Sequence, residues 1–158
     1  MTTTVRTQCP TRPLCTCSGT AHSSGKGCAL YAPFWFCGLP RPLPTGIAFC
    51  AVRLAEHHAR EALEEIGPRP GPVFADHDQA YVVLPARTSA EAWPSIARFC
   101  GPGTFVTVPA PQSTATGPAG LRWLVNPRTA KARFTPELML RTALSVLVER
   151  LDAHSAHQ

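Results

Sequence analysis

The residues that could carry chemistry include Asp76-His77-Asp78, an acidic triplet that follows a short apolar run. Alternating carboxylates on an extended segment can bridge a divalent cation to phosphate oxygens, as a metal-dependent transferase requires. The same residue types are also favoured in the turn of a β-hairpin. Because no second acidic motif follows, the pattern favours a turn. A metal site through Asp76 and Asp78 stays as the alternative.

Cysteines form a second candidate set. Near the start of the chain, four thiols and His22 are of the kind that bind zinc. The paired Cys-x-x-Cys spacing of most zinc sites is missing, so unstructured thiols are favoured and no cofactor is predicted. Cys50 and Cys100 stand among apolar neighbours and are expected to be small core residues. The four candidate zinc ligands are Cys9, Cys15, Cys17 and Cys28.

Basic residues suggest a phosphate-bearing or acidic partner. The first 55 residues contain five Lys or Arg and no Asp or Glu, so the net charge of +5 arises there. Farther along, Arg122 and Trp123 stand in a predicted strand, where an aromatic and basic sheet face could stack on nucleic-acid bases. A basic leader without a partner and inward-facing core aromatics are the alternatives. The candidate nucleic-acid contacts are Arg6, Arg12, Lys26, Arg41, Arg122 and Trp123.

Length and composition bound the architecture. With 158 residues, 44% of them hydrophobic, the chain can build the core of one domain. Pro, Thr and Cys without any hydrophobic period predict a disordered basic arm over residues 1–43, before a folded domain at 44–152 and a frayed tail at 153–158. No apolar run is long enough to span a membrane, and the n-region, h-region and cleavage site of a secretory signal do not follow one another in the required order. We therefore expect a cytoplasmic protein without membrane contact.

Hydrophobic periodicity places these residues on an α+β framework. An apolar stripe over residues 45–66, with Thr45 as cap, predicts a first amphipathic helix. Short runs of β-branched and aromatic residues predict a four-stranded, mainly antiparallel sheet. A capping-box pattern before Pro94 predicts a short connecting helix, which brings Trp93 onto the sheet. The four strands are expected at residues 72–75, 80–84, 104–108 and 121–125.

The last predicted element is a second amphipathic helix. Thr135-Pro136-Glu137 combines an N-cap residue, a proline at the first helical position and a first-turn acid. The apolar residues that follow cover more than one helix face, so we expect contacts with the sheet and the first helix, or with a second copy of the chain. The resulting order is α-β-β-(short α)-β-β-α, with the sheet packed by two helices.

Six segments between residues 71 and 140 carry a resemblance, namely 71–73, 81–85, Trp93, 100–111, 122–127 and 135–138. They resemble small actinobacterial, Streptomyces-type proteins, some of which look like fragments of the bifunctional DNA primase/polymerase domain of mobile elements. Active members of that family join an acidic pair on a strand to a histidine motif and a third acid. Here only Asp76 and Asp78 match, as the acidic pair. The resemblance implies an association with nucleic acid.

Taken with the residues themselves, these patterns favour a non-enzymatic interaction or regulatory module that binds a protein partner. The first alternative is a nucleic-acid-associated accessory protein related to mobile-element replication. The second is a metal-dependent transferase that uses Asp76 and Asp78. A homo-oligomer formed through the C-terminal helix is a further expectation.

Overall fold

The computed structural model of the protein describes residues 40–110 and 120–156. Within them the fold is α+β, with two helices and seven strands in two antiparallel sheets. Nearly all of the predicted arm, residues 1–39, lies outside the described residues. The elements are β1 (Arg41–Pro44), β2 (Phe49–Ala55), α1 (Glu56–Ile66), β3 (Val73–Asp76), β4 (Gln79–Pro85), β5 (Ala97–Cys100), β6 (Phe105–Val108), β7 (Arg122–Val125) and α2 (Glu137–Ser155).

The larger sheet has five strands in the order β5-β2-β4-β3-β7. Each neighbouring pair is antiparallel, and β2 pairs with β4 along seven residues at the centre. The predicted hairpin is confirmed, since β3 and β4 pair through Asp76 and Gln79. The prediction of one four-stranded sheet was wrong in the number and order of its strands.

The helix predicted at residues 45–66 begins only at Glu56, because Phe49–Ala55 forms the strand β2. Cys50 and Val52 lie under the helices, whereas Ala51 lies in the core on the opposite sheet face. A strand buried on both faces is a nearly continuous apolar run, and such a run also satisfies a helical period. The length of the run therefore misled the prediction.

A two-stranded ribbon, β1 paired with β6, covers part of the sheet face opposite the helices. β1 spans the end of the predicted disordered arm and the first residue of the predicted domain, and it contains Pro42 and Pro44. Thr45 does not cap a helix; its N–H donates to the carbonyl of Thr104 at 2.9 Å. In an antiparallel pair, every second residue of a strand hydrogen-bonds to the partner strand. Because Thr45 bonds to the partner, the backbone nitrogens of Pro42 and Pro44 face the outer edge of β1, where no N–H is needed. Alternate prolines therefore fit an edge strand.

Two further predictions require correction, and one strand was not foreseen. No helix forms around residue 90, because the segment folds as turns in which Trp93 Nε1 donates to the Ser89 carbonyl at 2.9 Å. Strand β5 was not predicted, although it forms one edge of the large sheet. The predicted strand at residues 104–108 belongs to the ribbon, and its Phe105 points outward instead of into the core.

The two helices cover one face of the large sheet. α2 begins at Glu137, one residue later than predicted, because its cap residue is Pro136 and not Thr135. The Thr135 hydroxyl instead accepts a hydrogen bond from the Gly71 N–H at 2.9 Å, which connects the start of the helix to the segment just before β3. The helix continues to Ser155, beyond the predicted start of the tail. Its buried residues are Leu140, Ala143, Leu144 and Leu147. None of the helices in the described ranges is long and apolar enough to cross a membrane.

Candidate functional site

The acidic triplet forms the turn between β3 and β4. His77 adopts a left-handed backbone with φ of 57°, and its Nδ1 lies 2.7 Å from an Asp76 carboxylate oxygen. The carbonyl of Asp78 accepts the first N–H of α1, that of Glu56, at 2.7 Å. These contacts show that the triplet forms the β3–β4 turn and that this turn also binds the first N–H group of α1. Within residues 40–110 and 120–156, no group of three or more His, Cys, Asp or Glu side chains could hold a metal ion.

Arg122, a predicted nucleic-acid contact, lies beside this turn in an internal ion pair. Its guanidinium donates to the carboxylate of Glu56 and, at 2.9 Å, to the carbonyl of Gly120. Arg60 donates to the same carboxylate at 2.7 Å. Burial by itself would raise the pKa of Glu56, but the hydrogen bonds from the two arginines outweigh it and hold that pKa below its usual value. Arg122 is thus already engaged in an ion pair within the fold, with a carboxylate that it shares with Arg60.

Trp123 was proposed to stack on bases, but its ring is only 7% exposed. The indole N–H donates to the carbonyl of Ala110 at 2.8 Å, and the ring meets Phe74 edge-on with centroids 5.7 Å apart. Successive residues of a strand point to opposite faces, so Arg122 and Trp123 do not share a surface. Trp123 is therefore a core aromatic residue, which was the alternative to base stacking.

Of the remaining predicted contacts, only the backbone of Arg41 lies within the described residues. Arg41 opens β1, where it pairs with Val108. The other three basic residues and all four candidate zinc ligands lie outside the described residues: Arg6, Arg12, Lys26, Cys9, Cys15, Cys17 and Cys28. The other two cysteines of interest, Cys50 and Cys100, are buried and free, as expected of core residues.

A row of side chains that the sequence did not reveal crosses the sheet face opposite the helices. Strand register places Arg53 directly opposite Arg98 on one side and Tyr81 on the other. Tyr81 stacks on Phe74 with ring centroids 4.9 Å apart. Arg98 is exposed, whereas Arg53 and Tyr81 are half-buried. Only the pairing of β2 with β5 brings the arginines together, so no local motif signals them.

Hydrogen bonds and charges order this row. Burial raises the pKa of the Tyr81 phenol, and the nearby positive charge of Arg53 opposes that rise without cancelling it. The thiol of Cys100 lies within electrostatic range of both arginines and donates to the Arg98 carbonyl at 3.8 Å. Burial outweighs the positive charges and raises the pKa of Cys100 as well, so the thiol stays protonated near neutral pH.

The outer side of the ribbon is the second notable surface. Phe105 is 67% exposed, and Ile47, in the turn that follows β1, is 76% exposed. Since the register assigns the N–H groups of Val106 and Val108 to β1, those of Phe105 and Thr107 point to the opposite edge of β6. Within the described ranges, β6 pairs with β1 alone.

Comparison of the chain with protein-family models, with curated proteins and with solved structures gave no match.

Proposed function

We propose that the protein is a non-enzymatic interaction module, and that its ribbon takes up an extended segment of a partner protein as a third strand next to β6. The observation that carries this proposal is the edge of β6, which is open within residues 40–110 and 120–156 and lies beside the exposed ring of Phe105. Strand addition is a common mode of peptide recognition, in which main-chain hydrogen bonds supply affinity and neighbouring side chains supply specificity.

The two edges of the ribbon differ in a way that supports this choice. Pro42 and Pro44 leave the outer edge of β1 without donors at these two positions, which protects that edge from further pairing. The edge of β6 has no proline and keeps the N–H and C=O groups of Phe105 and Thr107 available. A protein that only avoided aggregation would be expected to block both edges.

Phe105 supports the same proposal through its position. Its side chain shares the outer ribbon face with Thr107, so it would lie beside any added strand. Exposed aromatic rings frequently anchor protein interfaces, because they bury a large apolar area at little cost in conformational entropy. The partner segment is therefore expected to carry an apolar side chain opposite this ring.

The first experiment identifies the partner. A photoreactive phenylalanine analogue replaces Phe105 in the full-length chain in its native cells, and Leu138, an exposed residue of α2, is replaced in a matched control. We expect a specific crosslink to one protein at position 105 and none at position 138. A crosslink to nucleic acid would favour the accessory-protein alternative instead, and equal crosslinks at both positions would contradict the proposal.

The second experiment tests strand addition itself. Thr107→Pro removes one of the two outward N–H groups of β6 but keeps the bonds of Val106 and Val108 to β1, whereas Thr107→Val keeps every N–H. In the crosslinking chain we expect Thr107→Pro to abolish the crosslink and Thr107→Val to retain it. Crosslinking that survives Thr107→Pro would show that the partner does not pair with this edge.

A further inference from the structure

The strongest further feature is the pair Arg53 and Arg98, two like charges at directly opposed positions of β2 and β5. Side chains so placed have Cβ atoms about 5 Å apart, and like charges on directly opposed residues are unfavourable in a sheet. Both lie on the sheet face opposite the helices, beside the ribbon and separate from its outer face. Two guanidinium groups are thus within reach of one ligand on this face.

Neither arginine is neutralised by the part of the chain that the structure describes. Arg60, Arg122, Arg141 and Arg150 each contact a carboxylate there, whereas Arg53 and Arg98 have none within 4.0 Å. Asp76 lies on the same face, but its contact is with His77.

Packing restrains one side of this site. Arg53 is half-buried directly opposite Tyr81, and the ring of Tyr81 is fixed by stacking on Phe74. Arg98 stands exposed at the sheet edge, where it can approach a ligand from the side. On adjacent strands, Arg53 therefore offers partly buried hydrogen-bond donors and Arg98 offers exposed ones. Such a pair suits an anion that accepts several hydrogen bonds.

We propose that Arg53 and Arg98, with the hydroxyl of Tyr81, bind a single phosphate monoester or free phosphate ion on this sheet face. A monoester carries nearly two negative charges near neutral pH and offers three terminal oxygens, so it can neutralise both guanidinium groups at once. A phosphodiester carries one charge per phosphate and matches the pair less well. Binding involves no covalent step.

Isothermal titration of the full-length protein tests this proposal, at fixed ionic strength with chloride as the balancing ion. The probes are inorganic phosphate, phosphoserine and a short single-stranded DNA. We expect saturable binding of phosphate or phosphoserine, with the Arg53 and Arg98 Nε–H signals shifted in NMR spectra. Tighter binding of phosphoserine would identify an organic monoester as the ligand, and equal binding would identify the free ion.

Substitutions make the assignment specific. Arg98→Gln should weaken binding at least about tenfold, because it removes a charged donor. Arg128→Gln makes the same charge change at an exposed residue outside the sheet, and should leave the affinity unchanged. Arg98 is exposed, so its variant is expected to fold, which the NMR spectrum verifies. Binding of DNA alone, no saturation, or equal losses in both variants would overturn the proposal.

Discussion

The two faces of the five-stranded sheet differ in how completely they are covered. On one face, α1 and α2 bury an apolar core, and the charged residues around it form ion pairs such as Arg122 with Glu56 and Arg150 with Glu65. On the other face, a ribbon of two short strands covers only part of the sheet. The rest carries Arg53 and Arg98, which have no carboxylate partner in the described residues.

We propose that this difference separates stability from recognition. The helical face contains the larger buried cluster and the inner sides of both helices. The ribbon face provides what an interacting surface needs, namely an open strand edge, an exposed aromatic ring and unneutralised positive charge. Substitutions on the helical face should therefore change the free energy of unfolding, and those on the ribbon face should mainly change binding.

The largest effect is expected from Leu144→Asp, which places a carboxylate in the fully buried contact of α2 with the sheet. We expect a loss of at least about 3 kcal/mol in the free energy of unfolding, because an unpaired buried charge is strongly unfavourable. Urea denaturation measures it. The control Leu138→Asp, at a residue 75% exposed, should stay within about 0.5 kcal/mol of the parent. Similar losses in both variants would show that α2 does not pack as described.

The attachment of the ribbon can be weakened by Thr45→Val. The buried hydroxyl of Thr45 lies 2.6 Å from the Gly101 carbonyl and 3.0 Å from that of Thr104. Valine keeps the shape but cannot donate, so we expect a loss of about 1–2 kcal/mol in urea denaturation. Thr107→Val, which removes an exposed hydroxyl, is the control and should be nearly neutral. Equal effects would mean that the Thr45 hydroxyl does not hold the ribbon turn.

The ion pair at the rim of the helical face should make stability depend on pH. Glu56 has a lowered pKa in the folded chain, so its contribution is complete above the pKa of the unfolded chain and is lost as the pH falls through the folded value. Glu56→Gln should cost about 1 kcal/mol at pH 7. This difference from the parent should shrink below about pH 4.

Melting curves of the parent and Glu56→Gln between pH 7 and pH 3 measure the change, with Glu64→Gln at an exposed position of α1 as control. A difference that is independent of pH would exclude the charged pair as its cause.

The smallest expected change in the free energy of unfolding is a gain on the ribbon face, whereas the substitutions on the helical face cause losses. Without phosphate, Arg98→Thr should raise the free energy of unfolding by about 0.2–1 kcal/mol, because it relieves the like-charge contact with Arg53. Denaturation in a phosphate-free buffer measures the gain, and Arg128→Thr should give none. Destabilisation by Arg98→Thr would indicate that favourable contacts hold Arg98 in the folded chain.

Elements with local signals could be predicted from the sequence. The polar residues between two β-branched runs specify the β3–β4 turn, and the proline and acid at residues 136–137 mark the start of α2. Both signals act through neighbouring backbone groups, so they need no knowledge of the rest of the fold. The α+β class followed from them.

Features that depend on distant pairing could not be predicted. β2 was predicted as helix because burial on both faces hides the alternation of a strand. The residues of β1 were assigned mainly to the disordered arm, because only the pairing with β6 shows that Pro42 and Pro44 face an outer edge. The contact of Arg53 with Arg98 depends on the register of β2 and β5. Such register is set by the tertiary core, which no short stretch of sequence specifies.

The most direct test of the proposed division between the faces compares two exposed apolar residues. Phe105 on the ribbon and Leu138 on α2 are 67% and 75% exposed. Fluorescence anisotropy would measure the affinity of Phe105→Ser and Leu138→Ser for the partner segment identified by crosslinking. We predict at least about tenfold weaker binding for Phe105→Ser with an unchanged melting temperature, and no change for Leu138→Ser. Unchanged binding by Phe105→Ser, or a loss confined to Leu138→Ser, would contradict the assignment of recognition to the ribbon face.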